Sequence, residues 1–126
     1  MPREIVVLSP TPPDARVLVE AGAAVDPDLG LRTLYGGAVY QVVRADEGEG
    51  RAVLSIHQPL SVQNSAEIRR LLPRVHPLPA WATDGRPMWW VEALVPWGAD
   101  DARTGLAVIQ EMTARLGGLC VVQDGQ

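Results

Sequence analysis

A chain of 126 residues, 47% hydrophobic and 21% charged, has the size and composition of a single globular domain that buries roughly two-thirds of the surface its unfolded form exposes. The net charge of −4 has the wrong sign for generic nucleic-acid binding, which depends on clustered positive charge against phosphates. All eleven basic residues are arginine, which excludes lysine Schiff bases and a phosphate-loop lysine.

The first segment, "EIVVLS" from Glu4 to Ser9, is a short apolar run rich in β-branched residues and reads as a buried strand. A helix is expected next, with Thr11 as cap and Pro12 at its first position. Ala15, Leu18, Val19, Gly22 and Val25 form its inward stripe, and it stops near Asp26-Pro27. "LRTLY", before Gly36-Gly37, is a candidate short strand. "AVYQVVR" and "RAVLSIHQP" flank the turn "ADEGEG" and predict a β-hairpin. Asn64 and Glu67 have the spacing of a capping box for the helix "SAEIRRLL", with Ile68, Leu71 and Leu72 inward. Its arginines Arg69 and Arg70, with Arg74 beside His76, read as a solvated face.

Residues 73–87 hold four prolines and no hydrophobic period, which predicts an ordered crossing loop anchored by Trp81. "MWWVEALVPW" follows as the main strand. The clearest helix comes after it, with Asp100 as cap and Gly117-Gly118 as stop. Ala102, Leu106, Ile109, Met112, Thr113 and Leu116 make its stripe, and "LCVV" is the last strand. The order β-α-β-β-α-β-α-β predicts one α+β domain over residues 1–126, a two-layer sandwich with a ferredoxin-like core and an appended helix and strand.

Trp89 and Trp90 are adjacent, so on a strand they point to opposite faces and need separate cover. Trp89, Val91, Ala93, Val95 and Trp97 form a wholly apolar row that belongs against the helices. Met88, Trp90, Glu92 and Leu94 carry the strand's only charge and belong on the opposite, open face. Val53, Ser55, His57 and Gln41 are expected to share that face. A surface of this composition resembles an interface centre, and the candidate partner-binding residues are Trp90, Glu92, Gln41, His57 and Trp81. The crossing loop folding over the same face is the competing expectation.

The inventory for catalysis is thin. His57 and His76 lack metal-ligand spacing, and no GxSxG elbow, GxGxxG fingerprint or phosphate loop occurs. No metal and no cofactor is expected. Cys120 is the one cysteine and sits in an apolar run, which excludes an internal disulfide and suits a small buried hydrophobe. No run of about 18 apolar residues spans a bilayer, and the N-terminal stretch lacks the pattern of a signal peptide, so a cytoplasmic location is expected.

The C-terminal segment "MWWVEALVPWGADDARTGLAVIQEMTARLGG", followed by a short apolar strand, resembles small α+β immunity-type proteins of actinobacterial polymorphic or secreted toxin systems. That resemblance covers about a quarter of the chain, and implies a cytoplasmic, non-enzymatic protein that binds and blocks a toxin or effector. With the acidic balance it gives the leading expectation: a protein partner with a basic surface, met by Glu92 and the Asp46, Glu47, Glu49 loop, the protein itself being a monomer or homodimer. The alternatives are a ferredoxin-like ligand-sensing domain that dimerises through its open sheet face, and a small enzyme using His57 and Glu92.

Overall fold

A computed structural model describes residues 3–44, 50–75 and 77–123. The acidic loop residues Asp46, Glu47 and Glu49, and His76, lie outside the described residues. The elements are β1 (Arg3–Ser9), α1 (Ala15–Val25), β2 (Leu29–Leu34), β3 (Val39–Arg44), β4 (Arg51–His57), β5 (Leu60–Val62), α2 (Ser65–Leu71), β6 (Met88–Val95), α3 (Ala99–Leu116) and β7 (Leu119–Gln123). The fold is α+β: the described residues form three α-helices and one seven-stranded sheet, every pairing in it antiparallel.

The sheet runs β2-β3-β4-β6-β1-β7, with β5 also on β6. β4 and β5 pair with successive parts of β6, at Leu94-Ala93 and at Trp90–Met88. Gln58-Pro59 separates them, where proline's missing N–H cannot serve a ladder. In the ferredoxin-like order the first strand lies beside the second strand of the hairpin. Here β6 stands between β1 and β4, so the expected path through the sheet is not reproduced.

Trp89 and Trp90 do face opposite ways: Trp90 is buried in a second core, whereas Trp89 is half-buried and joins neither core. On one face Val91, Ala93 and Val95 join Ile5, Val7 and Leu54 under α1 and α3, against Leu18, Val108, Ile109 and Met112. On the other face Trp90 and Met88 join Val6 and Leu8 under Ile68 of α2, Leu72 at its C-terminal cap and Ala82 of the crossing loop. The sandwich therefore gains a partial third layer. Helices cover both faces, and the expectation of one wholly open face is corrected: Trp90 is only 8% exposed. The crossing loop does fold over this face, with Trp81 packed against the second core.

Local chemistry shifts several expected boundaries. Asp14, not Thr11, caps α1, its carboxylate accepting from Val17 N–H at 2.9 Å. Thr11 is instead held in a turn with the Ser9 hydroxyl. Val19 is exposed and Ala21 takes its place in the core. Asn64 caps α2 through Ala66 N–H, while Glu67 spends its carboxylate on Arg70 at 2.6 Å. Leu71 points out, leaving Ile68 and Leu72 inside. α3 starts after Gly98, with Asp100 and Asp101 in its first turn, and ends at Gly117 in the left-handed conformation. Leu106 is only half-buried, and Gly105 and Val108 sit deeper. Trp97 lies beyond the end of β6 and is 77% exposed. No helix among the described residues is long and apolar enough to cross a membrane.

Candidate functional site

The cover supplied by α2 and the crossing loop stops midway along the strands. Beyond it the sheet face is open, and its residues follow from the register alone. Arg32 opposes Gln41, Gln41 opposes Ser55, Ser55 opposes Leu94, Leu94 opposes Glu4, and Glu4 opposes Gln123. Six strands thus contribute one line of side chains across the sheet, because directly paired residues share a face. In the neighbouring line Glu92 opposes Val6, and Val6 opposes Val121.

Between these lines and the edge of α2 lies a groove of about 370 Å³. Glu4, Glu92, His57 and Gln123 provide its polar lining, and Leu94 and Leu71 its apolar lining, with the rim of Trp90 at the covered end. Glu4 and Glu92 occupy diagonal positions on adjacent strands, where side chains are roughly 7–8 Å apart. Both carboxylates are exposed, and among the described residues no arginine lines the groove. Two negative charges over an apolar floor are chemically suited to a cationic group carried on an apolar stem, as in an arginine side chain.

The five expected binding residues are only partly brought together. Glu92, His57 and the edge of Trp90 line the groove. Gln41 lies on the same face two strands from β6, and its amide is already committed: its Oε1 accepts from Arg32 Nε at 2.8 Å and its Nε2 donates to Ser55 Oγ at 3.0 Å. Gln41 therefore positions Arg32 at the far end of the line. Trp81 belongs to the second core and is not part of the groove lining.

Glu4 and Gln123 were missed by the sequence reading. Alternation in "EIVVLS" already puts Glu4 on the face of Val6 and Leu8, but only the pairing of β1 with β6 brings it beside Glu92. Val53 was expected here and is instead fully buried. Val42 pairs with Leu54 and Val43 with Ala52, so Val53 is the extra residue of a bulge, and the alternation shifts there. No hydrogen bond or ion pair joins His57 to Glu92 among the described residues, and no cluster of three metal-binding side chains occurs among them. Burial pushes the Cys120 thiol above its ordinary range, opposed by a hydrogen bond with Thr113, so thiolate character is low. Comparison with protein-family models, curated proteins and solved structures finds no match, and the functional reading rests on the geometry.

Proposed function

We propose that the chain is a non-catalytic protein-binding domain that receives a basic segment of a partner protein in the Glu4–Glu92 groove. The observation that carries this reading is a pair of exposed carboxylates over Leu94 and Leu71 with no arginine among the described lining residues. An arginine or lysine entering there gains a charge-assisted contact at its tip and apolar contact along its stem. The net charge of −4 favours the same partner at long range. The resemblance of the C-terminal segment to immunity-type proteins supports a toxin or effector as the partner class.

The alternative, a sensing domain that dimerises through this face, would bring Glu4 and Glu92 of two copies together, and like charges juxtaposed at an interface cost several kcal/mol. The reading as an enzyme using His57 and Glu92 lacks a positioned pair, since the two side chains share no hydrogen bond among the described residues. A photo-crosslinking amino acid in place of Leu94 tests the proposal in the native host. The captured partner should arrest growth when expressed alone, and co-expression with this chain should relieve the arrest. Glu4→Arg with Glu92→Arg should abolish the relief. A captured partner that is harmless or whose binding survives that double reversal overturns the reading.

A further inference from the structure

β7 pairs with β1 on one side, and no described residue pairs with it on the other. Such an edge offers its free N–H and C=O groups to any extended backbone, and edges that stay single are normally blunted by a charge, a proline or a bulge. β7, "LCVVQ", has no charge and no proline, and its register with β1 runs unbroken from Gln123 opposite Glu4 to Leu119 opposite Leu8. The opposite edge, β2, carries Arg32 and Gly30.

β7 is also apolar on both sides. Cys120 and Val122 pack at the rim of the first core, Leu119 and Val121 at the rim of the second, and all five residues are half-buried. That is the make-up of a strand inside a sheet, covered on both faces. A second copy of the chain is the occupant that matches it. An identical strand brings no like charges opposite one another, and it extends both apolar layers at once, whereas association through the sheet face would stack the Glu4 and Glu92 carboxylates of both copies.

We propose that two copies of this chain pair antiparallel along β7 about a two-fold axis at Val121. Leu119 then faces Gln123 of the second copy, Cys120 faces Val122, and Val121 faces its own counterpart. The axis of such a pair stands perpendicular to the sheet, so seven strands from each copy continue as one sheet and both acidic grooves open on the same side. A partner with two basic segments gains avidity from that arrangement.

Sedimentation velocity of the full chain over a concentration series tests this. The expected species has twice the 13.6 kDa chain mass. Leu119→Lys with Gln123→Lys places lysine opposite lysine twice and should weaken the dimer by roughly 100-fold or more. Leu119→Lys with Gln123→Glu places opposite charges at the same two pairs and should restore it. Should either variant misfold, amide hydrogen exchange of the wild-type chain decides: the outward-facing β7 amides should become protected as concentration rises. A monomer at every concentration, β7 exchange independent of concentration, or a dimer untouched by the lysine pair overturns the proposal.

Discussion

Gly105 of α3 lies directly on the backbone of Val53, and a β-carbon at Gly105 would overlap the Val53 carbonyl oxygen. The contact explains two features together. The bulge in β4 turns Val53 into the first core, and the missing side chain at Gly105 lets the helix settle onto the bulge. Gly105→Ala should therefore destabilise the fold by about 1–3 kcal/mol, the usual cost of overpacking, although alanine is the better helix former. Urea midpoints of the two chains measure the loss, and an unchanged or raised midpoint would show that α3 can lift at no cost.

Trp90 lies beneath Ile68 and Leu72 rather than on an open surface. Trp90→Ala should cost about 3–5 kcal/mol, the range for truncating a large buried aromatic. Thermal unfolding reads it directly. A variant that keeps wild-type stability but loses partner binding would return Trp90 to the interface.

The element types were legible because they depend on local periodicity. The two rows of β6 alternate as "MWWVEALV" dictates, the Gly117-Gly118 stop of α3 lies where its glycines place it, and β3 and β4 pair antiparallel as the two strands expected on either side of the turn. What eluded sequence reasoning depends on contacts between distant segments. The side of the sheet that α2 takes decides whether Trp90 is buried. The insertion of β6 between β4 and β1 decides that Glu4 joins Glu92. Neither is encoded in any window of neighbouring residues. The bulge at Val53 is a subtler case, since one extra residue breaks the period that the strand otherwise follows.

Asp101 ties the hairpin to α3. Its carboxylate accepts from Arg51 Nε at 2.6 Å and from Arg44 Nε at 3.0 Å, and Arg44 also reaches the Thr104 hydroxyl. Hydrogen bonds from Arg51 first, and then from Arg44, hold its carboxyl below the usual carboxylate range against the opposing effect of burial. A depressed folded-state pKa stabilises the protein above the unfolded value of about 3.9, and that contribution fades as pH falls through the lower folded value. Asp101→Asn should lower stability near pH 7 by roughly 1–2 kcal/mol, and the difference from wild type should shrink in urea titrations below about pH 4. A difference that persists undiminished at the acidic end would assign the loss to packing.

Along α3, Met112 and Ile109 are fully buried while Leu106 is half-exposed beside Trp97. Met112→Ala should cost about 2–5 kcal/mol, and Leu106→Ala clearly less. Equal shifts in the urea midpoint would mean that Leu106 is as deeply packed as the residues on either side of it.

The acidic groove predicts a particular kinetic signature. Charge attraction between Glu4, Glu92 and a basic partner acts before contact, so it raises the association rate more than it slows dissociation. At physiological ionic strength such fields are screened beyond about 8 Å, and the on-rate should fall as salt is added. Neutralising both carboxylates with Glu4→Gln and Glu92→Gln should slow association and flatten its salt dependence. Because both side chains are exposed on the open face, the double variant should retain the wild-type melting temperature. Stopped-flow association with the partner captured at Leu94, measured across a salt series, separates the two cases: a salt slope identical in wild type and double variant would remove the groove from the binding surface.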